Sequence, residues 1–346
     1  WIHIDGFIVM NGLPNCEDEW SGGAGINVKS SNIILSDVII KENRINDCYY
    51  GKGAGIYLSD CEFEISNSII KENVIDVNNG NGGGLYVDSS NGIIQDCIIE
   101  DNEILVNGAP QYFGGGGIQS KLSDLIIFDS IINNNISGTG AAIYNYGSSG
   151  HVEISHCLIY NNSAVIWSII MGFQESKTIL NKSIIYNNMS NTMFTAYYEA
   201  TISLTNSTIT SNESTYINDS YAGGLINTIN SILWDNSAIY VPTESEDAIH
   251  INYSDIEGGH DGLGNIDLNP LFIDPFNNDY TLQTESPCID AGTDFFIWEA
   301  DTLVNIAPNE YYGSAPDMGA YEYEDGDGPI EGCTDPEACN YNPNAT

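Results

Sequence analysis

The hydrophobic pattern along this chain is short, alternating and recurrent. Ile33-Ile34-Leu35-Ser36-Asp37-Val38-Ile39-Ile40, Val152-Glu153-Ile154-Ser155-His156-Cys157-Leu158-Ile159 and Ile202-Ser203-Leu204-Thr205-Asn206-Ser207-Thr208-Ile209 are β-branched runs of period two. No segment sustains the 3.6-residue period of an amphipathic helix. Ala, Glu, Lys and Arg are scarce beside Ile, Asn, Ser, Thr and Tyr, which favours strands again.

These runs belong to a repeating unit. Gly22-Gly23-Ala24-Gly25-Ile26, Gly53-Ala54-Gly55-Ile56-Tyr57-Leu58 and Gly82-Gly83-Gly84-Leu85-Tyr86-Val87 each open a coil, and a later strand closes it on Asn. The aligned asparagines are Asn11, Asn43, Asn73, Asn102, Asn135, Asn162, Asn188, Asn212 and Asn236, at intervals of 32, 30, 29, 33, 27, 26, 24 and 24 residues. Such coils have no room for a helical crossover. The pattern therefore predicts an all-β, right-handed parallel β-helix of about nine coils stacked at roughly 4.8 Å.

Within that frame Asn43, Asn73, Asn102, Asn135, Asn162, Asn188, Asn212 and Asn236 read as a structural row. Asn tolerates left-handed torsions at a corner, and stacked amides can bond one another; ligand binding by the row is the alternative. The glycines read as corners needing positive φ or close approach. Val38, Ser68, Cys97, Ser130, Cys157, Ser183, Ser207 and Ser231 form a column of small residues predicted to face inward. Cys97 and Cys157 lie two coils apart in it, about 10 Å, too far for a disulfide.

The pairing of Gly-Gly-Ala/Gly-Ile with Ile-x-x-Asn resembles the GGA[I/L] and FxxN repeats of polymorphic outer-membrane proteins, with Ile where that form has Phe. It runs from Ile40 to Asn43, Ile70 to Asn73, Ile99 to Asn102 and Ile132 to Asn135. More broadly, residues 1–258 resemble right-handed parallel β-helix repeat proteins of the pectate-lyase-like superfamily, as does the opening Ile4-Asp5-Gly6-Phe7-Ile8-Val9-Met10-Asn11-Gly12.

Residues 259–323 depart from the repeat. Asn269-Pro270-Leu271-Phe272-Ile273-Asp274-Pro275, Ser286-Pro287-Cys288-Ile289-Asp290-Ala291-Gly292 and Asp317-Met318-Gly319-Ala320-Tyr321 are similar to the closing segment of secreted bacterial β-helix proteins. We expect this cap to cover the open end of the solenoid, burying Leu271, Phe272, Ile273, Leu282 and Ile289. Residues 324–331 read as an acidic linker. Residues 332–346 resemble the start of small Cys-containing modules strung through secreted proteins of marine Bacteroidetes, with a Cys333–Cys339 spacing compatible with a disulfide. The resemblance implies a fragment of a larger precursor placed outside the cell or on its outer surface.

Charge narrows the partners. With 48 acidic residues against 8 basic, the net charge is −40, which argues against nucleic acid. No apolar run reaches the roughly 20 residues of a membrane span. Polysaccharide or a cell-surface protein remains the expected partner.

The superfamily resemblance implies polysaccharide lyases, hydrolases and epimerases as well as non-enzymatic rods. A lyase needs a base and cationic neutralisation of a carboxylate. Lys41, Arg44 and Lys71, with Asp60, Glu62 and Glu64 as Ca²⁺ ligands, form the best cluster the sequence offers; solvated turn lysines are the competing reading. Asp37, Asp96 and Asp129 share a column with Asn67, His156 and Lys182, which reads as a solvated face.

An aromatic column is more distinctive. Alternation places Tyr57, Tyr86, Tyr144, Trp167, Tyr197 and Tyr240 outside the glycine-led strands, either as a ligand face or as a self-stacking ladder. For cofactors none is required; Asp325 and Asp327, with Asp255, Asp261 and Asp267, are candidate Ca²⁺ ligands. On balance the sequence favours a non-enzymatic extracellular binding or adhesion rod, with a polysaccharide-active enzyme as the alternative.

Overall fold

The computed structural model describes residues 1–14, 20–77, 79–105, 114–240, 248–298 and 300–324. They form a right-handed parallel β-solenoid of about nine coils with three long walls. The first wall holds ten parallel strands, from Ile2–Asp5 to Ile249–Asn252. The second holds ten, from Ile8–Met10 to Asp255–Ile256. The third, built from the glycine-led strands, holds nine, from Ile26–Lys29 to Ser237–Ile239. Among the described residues, a three-stranded ribbon of Trp20–Gly22, Tyr50–Lys52 and Asn79–Asn81 accompanies the early, longer coils.

Period two translates directly into inside and outside. Leu35, Ile65, Ile94, Ile127, Ile154, Leu180 and Leu204 stand in register and are wholly buried. Where one coil brings the bulky Phe63, its neighbour supplies Gly92, whose missing side chain leaves space for that ring.

Polar rows join the coils. Each ladder asparagine from Asn43 to Asn212 donates its Nδ2 to the next one's Oδ1 at 2.9–3.1 Å. The same oxygen accepts that residue's backbone N–H, as in Asn102 N to Asn135 Oδ1 at 3.1 Å. Two details differ from the sequence reading. Gly12, not Asn11, occupies the first rung, its N–H donating to Asn43 Oδ1 at 2.9 Å. The left-handed torsion belongs to the residue before each ladder asparagine: Glu42, Glu72, Asp101, Asn134, Asn161 and Asn187 have φ of 53–54°. The ladder asparagines are held by their side chains in the core, and that leaves no solvated corner for them to turn. The Asp37–Asp96–Asp129 column is likewise a row of left-handed turn residues, with φ of 49–52°.

The small-residue column lies inside. Backbone N–H groups of Val38, Cys97 and Cys157 donate to the hydroxyls of Ser68, Ser130 and Ser183 at 3.1–3.2 Å. Cys97 and Cys157 are free and buried, and burial pushes their thiols up to about 11 and about 12. Cys48 is disulfide-bonded.

The C-terminal segment does more than close the end. The column of small residues continues from Ser231 to Ser254 and ends on Asn265, which accepts Ser254 N–H at 3.1 Å and donates to Ile251 O at 2.8 Å. Beyond it the chain turns back over the outer face of the second wall. There Phe272, Tyr280, Leu282, Cys288 and Met318 pack against Ile184, Tyr186 and Ile232. The reason is chemical: this outer row reads Lys41, Lys71 and Glu100 in early coils but Tyr160 and Tyr186 later, leaving an apolar surface to cover. The hairpin Phe295–Trp298 with Asp301–Asn305 approaches the first wall, where Trp298 stacks on His250 at 4.0 Å. Ile273, expected inside, is 54 % exposed, because strand alternation turns it away from buried Phe272.

Carboxylates staple this cap. Asp255 accepts the Cys288 thiol at 3.2 Å and Leu268 N–H at 3.1 Å. Asp317 accepts Asp290 N–H at 2.8 Å and Tyr323 N–H at 2.6 Å, while Glu322 faces it. Burial raises Asp255 to about 6; burial and then the Asp317 charge raise Glu322 to about 7. Both lie above ordinary unfolded values, so the native state binds more protons than the unfolded one across this range. Stability should therefore fall as pH rises from about 4, near the unfolded values, to about 7. Thermal melts of the wild type and of Asp255→Asn/Glu322→Gln test this: the variant should have a flatter pH slope, and identical slopes would refute the assignment.

Candidate functional site

The outer face of the third wall carries two rows, set by strand register. One reads Asn27, Tyr57, Tyr86, Gln119, Tyr144, Met171, Thr195 and Asp219. The other, two residues on, reads Lys29, Ser59, Asp88, Lys121, Tyr146, Phe173, Tyr197 and Tyr221.

Three members of the predicted aromatic column therefore sit elsewhere. Trp167 precedes its strand, Ser168–Phe173, and Met171 takes the place beside Tyr144. That coil replaces the glycine pair with Ser168 and Ile169, so Ile166-Trp167 mimicked the glycine-led motif four residues early. Tyr197 falls in the second row, and Tyr240 packs against the main core, its hydroxyl donating to Glu257 at 3.2 Å.

The early tyrosines are outward but covered. Tyr57, Tyr86 and Tyr144 are 4 %, 2 % and 6 % exposed. Tyr57 and Tyr86 stack at 5.6 Å with 7° between planes, and the backbone at Gly22 lies against the Tyr57 ring. The Lys29 ammonium stands 5.4 Å from the Tyr57 centroid, and that of Lys52 4.9 Å from the Tyr86 centroid. More accessible aromatic surface lies further along: half-buried Tyr146 and Phe173 stack at 5.6 Å, and exposed Tyr198 meets Phe173 edge-on at 5.4 Å.

Between these two regions runs a groove of about 500 Å³, lined by Lys52, Tyr86, Gln119, Lys121, Tyr146 and Phe173 among others. A second hollow of about 580 Å³ shares Lys121, Tyr146 and Tyr198 with it. Lys121 bonds Asp88 at 3.2 Å. Burial lowers the Lys52 pKa; Asp88 opposes that, and Lys121 and Lys29 reinforce it. Gln119 is buried, and its Oε1 has no hydrogen-bond partner. Three of the chain's eight cationic side chains thus converge on one face of a −40 molecule. The sequence reading missed them because Lys52 lies outside the repeat strand. Lys29 and Lys121 occupy one row but three coils apart, so only the row alignment could have signalled them.

The cluster expected around Lys41, Arg44 and Lys71 is divided into local ion pairs. Lys41 pairs with Glu42 at 2.7 Å, Lys71 with Glu72 at 3.1 Å, and Arg44 with Asp76. Glu62 and Glu64 belong to the first wall while Lys41 and Lys71 end strands of the second, so the expected Ca²⁺ ligands are not beside them. Among the described residues no group of three or more His, Cys, Asp or Glu is placed to hold a metal ion. Asp255 is buried and Asp267 accepts Gly258 N–H at 3.0 Å. Asp325, Asp327, Cys333 and Cys339 lie outside the described residues. No helix among the described residues is long and apolar enough to cross a membrane.

Comparison with known proteins agrees with this architecture. A family model described as a right-handed β-helix region matches residues 10–150. The crystal structure of pectate lyase Pel9A is similar at a TM-score of 0.53 and 14 % identity, over 93 % of this chain and 88 % of that one. At that identity the likeness concerns the fold. No curated protein matches the chain.

Proposed function

We propose that this β-helix binds an acidic saccharide outside the cell, in the groove on the outer face of its third wall. The observation that carries this is the meeting of Lys52 and Lys121 with Tyr146, Phe173 and Tyr198 along one groove. Sugar rings stack on aromatic faces, and lysines give charge-assisted bonds to carboxylate or sulfate. The −40 net charge does not forbid this. Beyond roughly 8–10 Å salt screens it, whereas lysines at contact distance act almost unscreened. The disulfide at Cys48 is consistent with an oxidising compartment.

A second reading draws on Lys52, whose lowered pKa suits a general base. With Lys121 and Lys29 nearby, a uronate carboxylate could be neutralised while Lys52 takes the α-proton, the chemistry that the lyase of similar fold brings to mind. One experiment separates the readings. The protein is incubated with polygalacturonate and with a neutral glucan; retention is followed by calorimetry, and products by mass spectrometry.

Retention of the acidic polymer without products supports binding. Unsaturated oligosaccharides would move the assignment to the lyase, and failure of retention and cleavage alike would refute both. Lys52→Gln/Lys121→Gln should weaken acidic-polymer binding at least roughly a hundredfold, about tenfold per charge-assisted bond. Tyr146→Ala/Phe173→Ala should weaken neutral and acidic ligands alike.

A further inference from the structure

Beside the lysine groove on the same wall, and sharing Trp167 and Tyr197 with it, a smaller cavity of about 160 Å³ opens between Trp167, Tyr197, Tyr221, Thr195 and Asp219. Its aromatic walls come from three successive coils. Trp167 and Tyr197 meet edge to face at 6.2 Å and 82°, and Tyr197 and Tyr221 do so at 5.9 Å and 87°. All three rings line the cavity, and each neighbouring pair is near-perpendicular. Its polar lining comprises Asn191, Thr192, Thr195 and Asp219, of which Asp219 and Thr195 are 3 % and 5 % exposed.

We infer that this cavity is an aromatic cage for an organic ammonium group. Aromatic rings that border a space attract a cation over their faces through their quadrupoles, most effectively when it is partly desolvated. The Asp219 carboxylate adds a formal negative charge close by, within a chain whose overall field already gathers cations. Size agrees, since a cavity of about 150 Å³ accepts a benzene-sized guest and a trimethylammonium head has fewer heavy atoms. The cavity shares Trp167 and Tyr197 with the lysine groove but carries Asp219 where the groove carries Lys52 and Lys121, so the two take ligands of opposite charge and are tested by different ligands.

The ammonium could belong to a methylated amine or to an amino sugar, and the test separates them. Calorimetric titrations use choline, glucosamine and the neutral choline isostere 3,3-dimethylbutan-1-ol against the full chain. Choline or glucosamine should bind at least tenfold more tightly than the alcohol, whichever binds better identifying the source. Asp219→Asn should weaken the bound cation at least tenfold, and Trp167→Leu should do the same, while Tyr221→Phe keeps the ring and retains affinity. Each variant is checked for an unchanged β-sheet circular-dichroism spectrum and melting temperature, and a variant that fails this check is replaced by Tyr221→Ala, which removes a half-exposed ring. Equal binding of choline and the alcohol, or no binding of either cation, would overturn the assignment.

Discussion

Replacing Asn135 by alanine should lower the unfolding free energy by roughly 3–5 kcal/mol, far more than a surface substitution. Asn135 Oδ1 accepts the backbone and side-chain N–H groups of Asn102 at 3.1 and 3.0 Å. Its Nδ2 donates to Ile99 O at 2.9 Å and to Asn162 Oδ1 at 3.0 Å. All of this happens at a wholly buried position, so truncation strands donors and acceptors that water cannot reach. Asn135→Asp keeps the acceptor but turns a carboxylate oxygen towards Ile99 O, so it should be as damaging at neutral pH and recover in part on acidification. Asn91→Ala, exposed on the first wall, should change stability by less than about 0.5 kcal/mol. Denaturant unfolding followed by circular dichroism measures all three. A loss below about 1 kcal/mol for Asn135→Ala would mean that the ladder is incidental to stability.

The second large effect is expected at Gly84. Its φ is not positive, so the cost of a side chain there is contact rather than torsion. An added Cβ would lie 2.7 Å from Gly117 O and 3.0 Å from Asn102 Nδ2. Neither atom can retreat, because Leu85 N–H already bonds Gly117 O at 2.9 Å and Asn102 is a ladder rung. Gly84→Ala should cost about 3 kcal/mol, at the upper end for overpacking, and Gly84→Val should prevent native assembly of that coil. Gly6 offers the contrast, with φ of +69° but nothing within 4 Å of an added Cβ. Gly6→Ala should cost only the left-handed torsion, about 1–2 kcal/mol. Equal melting temperatures for the two alanine variants would contradict this division between crowding and torsion.

That division shows how much of the architecture could be read beforehand. The recurrence of Gly-Gly-x-Gly-Ile and Ile-x-x-Asn implied parallel coils, and the alternation in Ile33–Ser36 or Thr201–Thr205 implied which side chains meet inside. Both are local consequences of strand geometry, where neighbouring residues face opposite ways. The small column through Cys97 and Cys157 was legible for the same reason. The glycines were legible as necessary, but not which served torsion and which served contact: Gly82 has φ of +65°, whereas Gly83 and Gly84 are confined by the next coil's carbonyls.

The candidate site was less legible. Rows on the third wall depend on where each coil begins pairing, and Ser168-Ile169 in place of a glycine pair shifted that point by four residues. Trp167 and Tyr197 therefore left the predicted column, yet meet each other at the small cavity. Lys52 and Lys121 are far apart in sequence and in different kinds of segment, and only the side ribbon Tyr50–Lys52 folding beside the wall brings them to one groove.

The sequence by itself determined the solenoid, its inward rows, its asparagine ladder and its acidic field. Each follows from a residue's relation to its neighbours or to the coil directly above. Tertiary structure alone decided which aromatics are covered, where three lysines converge and which outer wall the C-terminal segment protects. Those outcomes depend on loop length and coil register, which accumulate over many residues, and no local pattern encodes their sum.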